Sequence, residues 1–296
     1  MIKGLGATCH QEEPFLINKN SEWLYGVAYV PAAIRASRRC CVLLNPLDNE
    51  ANNSIRFYVR MARLLAARGV LTLRFDYRGT GNSSCCFSEV SLNTLIDDVK
   101  AIQSFAARTY SRSSTALAGA RFGATLALIY AGHEENVADL ILWDPILDPA
   151  REFKTKFVNK TLLDQKMMKD ATGHDGRSIA GRLEEDGVAE LSCMSFSRTF
   201  YKQFESLSLE QFLPKGIKGG LLILPDAPLS SNAGRVMDIL RGPRSLQVRR
   251  LSVKRSHPGW GAEDFSESSE MASALQEETL AYVAAQSPAE PCEIQA

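Results

Sequence analysis

The sequence predicts an α/β protein: a mostly parallel sheet with helices on both faces and a helical insertion that interrupts the repeat. Three observations carry this. Short apolar runs bounded by turn residues alternate with helical patterns along most of the 296 residues. The runs are continuously apolar, as in strands buried on both faces, and lack the alternation of half-solvated strands. One stretch of about seventy residues, 148–219, contains no convincing strand.

Strands are expected at 23–29, 40–44, 70–75, 115–118, 139–143, 220–224 and 246–251, with a weaker one around 14–17. Over 55–67, Ile55, Tyr58, Val59, Ala62, Leu65 and Ala66 fall on one helical face. Over 92–107, Leu92, Leu95, Ile96, Val99, Ile102 and Phe105 do the same. Residues 124–131 are nearly all apolar, which suits a helix buried on every side, and helices at 236–240 and 271–285 complete the set. Residues 1–147 and 220–285 then form the core, 148–219 a cap, and 286–296 a flexible tail. The cap reads equally as a lid or as an ordinary helical insertion over the sheet's end. In such sheets ligands bind beyond the carboxyl ends of the strands.

Composition excludes several classes. The 34 Lys and Arg equal the 34 Asp and Glu, so there is no basic footprint for nucleic acid. Seven cysteines include two adjacent pairs, Cys40–Cys41 and Cys85–Cys86, which do not easily bridge, and no CxxC spacing occurs. No metal and no cofactor are expected. Met1–Asn20 has no apolar segment typical of a secretory leader, and no apolar run is long enough to span a membrane. The expectation is a cytoplasmic protein with a small-molecule ligand, with homo-oligomerisation left open.

Two segments resemble those of a known family. Asp76-Tyr77-Arg78-Gly79-Thr80-Gly81-Asn82-Ser83 is similar to the DYRGxGxS turn of serine aminopeptidase-like α/β hydrolases. About forty residues on, Gly119-Ala120-Arg121-Phe122-Gly123 occupies that fold's nucleophile-elbow slot, with arginine where serine, cysteine or aspartate is usual. A third segment, from Asn45 through Glu50 to Ser54, resembles the corresponding loop of exosortase A system-associated hydrolases, some of which carry Gly-x-Arg-x-Gly at the elbow.

The resemblance implies an α/β-hydrolase fold and assigns roles. Asp226, or alternatively Asp144, falls in the acid slot, and His257 in the histidine slot. Leu47 and Phe122 fall where backbone N–H groups form an oxyanion hole, with Glu50 and Asn52 beside them; a helix N-cap role for Asn52 or Asn53 reads equally well.

Arginine at the elbow cannot attack a carbonyl or act as a base, because its guanidinium stays protonated. It can bind an anion at a helix N-terminus, or plug a dead site by pairing with a carboxylate such as Asp144 or Asp226. Three functions stay open. One is an enzyme acting on a small acyl, ester, amide or thioester compound whose anionic group Arg121 holds, with Asp226 and His257 as acid–base pair. A second is a non-catalytic binding or scaffold protein. The third is an acyl hydrolase with a nucleophile displaced to Ser83, Ser84, Cys85 or Cys86.

Overall fold

The computed structural model describes residues 10–32, 39–112, 115–134, 137–167, 178–209, 219–225, 230–241, 246–251 and 269–286. A hairpin, β1 (His10–Lys19) and β2 (Glu22–Pro31), opens the chain. Then β3 (Cys40–Leu44), α1 (Asp48–Ala67), β4 (Leu71–Phe75), α2 (Leu92–Tyr110), β5 (Thr115–Ala120), α3 (Phe122–His133) and β6 (Val137–Trp143) alternate. The insertion brings α4 (Pro149–Met167), α5 (Ile179–Glu185), β7 (Val188–Leu191), β8 (Met194–Ser197) and α6 (Arg198–Glu205). The repeat resumes with β9 (Gly220–Pro225), α7 (Ser231–Leu240), β10 (Leu246–Leu251) and α8 (Glu270–Ala285).

Eight strands form one sheet in the order β1-β2-β4-β3-β5-β6-β9-β10. From β4 to β10 all neighbours are parallel, and β2 joins β4 antiparallel. The chain runs from β3 outward to β4, then crosses back to β5, so the order reverses between β3 and β5. That switch point opens a crevice where the turns after β3 and β5 diverge. In β3, Cys40, Val42 and Leu44 face one core while Cys41 and Leu43 face the other, and all five are buried. This explains why the strand has no polar alternation.

Three elements depart from the sequence expectation. Strand β1 runs the full ten residues from His10, with Pro14 tolerated because the strand is at the sheet edge. Helix α1 begins at Asp48, about two turns before Ile55, because its first turns are polar and carry no apolar period. Asp48 and Glu50 there suit the positive end of the helix dipole. The N-cap is Leu47, so Asn52 and Asn53 lie inside the helix and do not cap it. The insertion also contains the two-stranded β7–β8 hairpin, whose four-residue strands are too short and too polar to show a strand period.

The crossing of β3 under α3 leaves no room for a side chain at Gly123. A Cβ there would lie 2.0 Å from the Leu44 carbonyl oxygen and 2.8 Å from that of Asn45. Both obstacles are backbone, which cannot swing aside. Gly123→Ala is therefore expected to lose about 3 kcal/mol or more of stability in chemical denaturation; a loss below ~1 kcal/mol would contradict the close crossing.

Candidate functional site

Strand β5 ends at Ala120 and α3 starts at Phe122, so Arg121 alone makes the strand-to-helix turn. Its dihedrals, φ 50 and ψ −116, are strained for a residue with a side chain. The surroundings over-determine them. Arg121 N–H donates to Trp143 O at 3.0 Å, and its carbonyl accepts from Thr125 N and Thr125 Oγ1, both at 3.1 Å. One residue earlier, Ala120 N–H donates to Tyr58 Oη at 2.9 Å, while that hydroxyl donates to Leu44 O at 2.8 Å. Tyr58 thus bridges β5 and the end of β3, and burial pushes its phenol well up, keeping it a donor.

The Arg121 side chain is buried, with 5% of its surface exposed. Each guanidinium nitrogen meets a different carboxylate. Nε donates to Glu50 Oε1 at 3.1 Å, Nη1 to Asp144 Oδ2 at 3.4 Å, and Nη2 to Glu152 Oε1. Lys156 Nζ approaches Glu50 Oε1 at 3.6 Å. Among the described residues the cluster has three carboxylates and two cations, which sum to one net negative charge. Burial opposes the charge on Arg121, but Glu50, Asp144 and Glu152 outweigh it and hold the guanidinium firmly protonated. Three carboxylates converge, yet Arg121 sits among them, and no group of three or more His, Cys, Asp and Glu is placed to hold a metal among the described residues.

These partners come from three elements: the first turn of α1, the end of β6 and the first turns of α4. Asp144 turns out of β6 with φ 48, anchored by its N–H to Ile223 O at 2.7 Å. Of the residues singled out in the sequence, Arg121, Glu50 and Asp144 meet here. Glu152 and Lys156 were not anticipated; their spacing of four residues on a basic helix was the available signal.

Leu47 and Phe122 stand at the starts of α1 and α3, on either side of the switch point. Above them the cap is docked. Asp48 N–H donates to Met194 Sδ at 2.9 Å, Cys193 N–H donates to Asp48 Oδ1 at 3.0 Å, and Asn52 Nδ2 lies 3.6 Å from Cys193 Sγ. The Phe122 ring packs on Phe204 of α6 with centroids 5.3 Å apart, and Phe87 packs on Phe196 of β8 at the same distance. Phe153, Phe196, Phe200 and Phe204 of the cap are buried in the same core as the sheet. Each such burial contributes roughly 1.5–3 kcal/mol, so this part of the cap is joined to the core rather than hinged above it.

The DYRGxGxS segment is a brace. Ser83 Oγ donates to Asp76 O at 2.6 Å and accepts from Tyr25 N at 2.9 Å; Ser84 Oγ accepts from Trp23 N at 2.8 Å and donates to Trp23 O at 3.1 Å. Arg78 Nε donates to buried Asp98 at 2.7 Å and Nη1 to Glu22 at 2.6 Å. Burial, with Glu22 and Glu89 nearby, pushes the Cys85 thiol up to about 11. That is opposite to the lowering a reactive thiolate needs. The acid and histidine candidates Asp226 and His257 lie outside the described residues.

A family model described as serine aminopeptidase, S33, matches residues 50–174. Est1E from Butyrivibrio proteoclasticus, solved with ferulic acid, superposes with a TM-score of 0.62 at 16% identity, covering 91% of this chain and 99% of its own. This is an α/β-hydrolase fold. DcsB, solved with a substrate analogue, superposes with a TM-score of 0.63 at 14% identity over 94% of this chain and 100% of its own. An α/β serine hydrolase without a lid from Xanthomonas campestris gives 0.53 at 16% identity, over 95% and 97%. No curated protein sequence matches this chain significantly, and none of its described helices is long and apolar enough to cross a membrane.

Arg121→Met takes from the buried carboxylates of Glu50 and Asp144 the guanidinium they share. Its stability is expected to fall by about 3–5 kcal/mol at neutral pH. The deficit should shrink as the pH is lowered toward about 4, where these carboxylates take up protons in the folded state. Urea denaturation across pH checks both; a deficit independent of pH would assign the loss to packing.

Proposed function

We propose that this α/β-hydrolase-fold protein binds a small molecule without forming an acyl-enzyme, and that its elbow serves as the anchor of the cap. One observation carries the reading: Arg121 stands at the elbow position and each of its guanidinium nitrogens faces a carboxylate of the protein itself. A ligand anion would have to displace one of them inside a cluster that is already net negative. The ligand's acyl, ester, amide or thioester character therefore finds no support in Arg121 as a clamp. Asp144 is engaged with Arg121 at 3.4 Å. A displaced nucleophile is disfavoured by the hydroxyls of Ser83 and Ser84, engaged by β2, and by the raised Cys85 thiol. A cytoplasmic setting is part of the same proposal.

A fluorophosphonate probe is expected to leave the protein unlabelled, by gel fluorescence and intact mass. Labelling removed by Ser83→Ala or Ser84→Ala would establish a displaced nucleophile and overturn the proposal. The acid–base alternative, with Asp226 and His257, predicts turnover of an ester or thioester panel that His257→Ala abolishes; the binding reading predicts none above the buffer rate in either protein.

A further inference from the structure

Beside the elbow lies a cleft of about 440 Å³, a volume usual for small-molecule sites. Arg74 and Asp76 at the end of β4, Asn82 in the loop beyond it, and Asp48, Asn52 and Ile55 of α1 line it, and the tip of the β7–β8 hairpin closes one side. Arg121, Glu50, Asp144 and Glu152 are not among its walls.

The cleft offers donors and acceptors together. Arg74 Nη1 is 3.6 Å from Asp76 Oδ1, while Arg74 Nε is buried without a hydrogen-bond partner. Asp76 Oδ2 accepts from Asn82 N–H at 3.0 Å, which fixes the loop and leaves the exposed Asn82 side chain at the rim. With one guanidinium against two carboxylates, Asp48 and Asp76, the charge of the wall disfavours an anion. A hydroxyl suits such a wall because it donates to carboxylates and accepts from guanidinium and amide groups at once. Ile55, half exposed, supplies an apolar surface opposite for the C–H face of a ring.

The geometry points to a binding site for a small, neutral, polyhydroxylated molecule, a mono- or disaccharide in chemical class, in this cleft beside the elbow. The assignment rests on the proposed binding role only in that the ligand is held and not consumed. The test is an NMR titration of the full chain with glucose, galactose and mannose, and with glucuronate and glucosamine as charged comparators. At least one neutral sugar should bind at millimolar concentration, more tightly than glucuronate, and Asn82→Ala and Arg74→Met should each weaken it at least tenfold. Asn82→Ala alters an exposed side chain, so its effect is not a folding effect. The assignment is overturned by three results: no binding of any neutral sugar, preference for glucuronate, or affinity unchanged in both variants. Fluorophosphonate labelling of a protein that still binds sugar would overturn the binding-only role while leaving the site in place.

Discussion

A guanidinium cannot shed its charge, and Arg121 holds one at 5% exposure in the strand-to-helix turn between β5 and α3. An ion buried without compensation would cost several kcal/mol, so neighbouring elements must bring carboxylates to it. Helix α1 delivers Glu50 from its first turn, β6 delivers Asp144 from its end, and α4 delivers Glu152 from the insertion. One side chain thereby joins the start of α1, the end of β6 and α4 at the turn between β5 and α3. On the proposed reading, the usual site of attack in this fold is the place where cap and core are tied together.

The tie is ionic at one point, polar at a second and apolar at a third. Cys193 and Met194 sit on the start of α1 through Asp48, and the cap's phenylalanines pack against Phe87 and Phe122. The DYRGxGxS segment adds a separate brace, in which Arg78 joins β2 to α2 through Glu22 and Asp98. Burial pushes Asp98 up to about 6 in spite of Arg78, which shows how deeply the pair is placed. What resembles in sequence the turn of a hydrolase family is, at these residues, a brace between β2, β4 and α2. The proposed ligand cleft lies beside the tie.

Much of this was legible in the sequence for physical reasons. Strands buried on both faces leave continuous apolar runs, and the elbow glycines are demanded by a crossing that admits no Cβ. Asp144 as an Arg121 partner follows from its place after β6. Other parts left no local trace. The start of α1 is polar, so no period marks it. The β7–β8 strands are four residues each, below the length at which alternation can be read. Glu152 lies 31 residues from Arg121 on an element whose placement is set by aromatic packing, so its partner depends on tertiary structure alone. The cleft beside the elbow draws its walls from three separate segments and has no signature in any one of them.

The most direct measure of the account is a double-mutant cycle between Arg121 and Glu152 of the insertion, using Arg121→Met, Glu152→Gln and the pair, with stability read by urea denaturation. A structural tie between these charges predicts a coupling energy of about 1.5–3 kcal/mol, so that the double variant is much less destabilised than the two single losses added together. Additivity within about 0.5 kcal/mol would mean that the two side chains do not depend on one another, and the account of Arg121 as the anchor of the cap would fail.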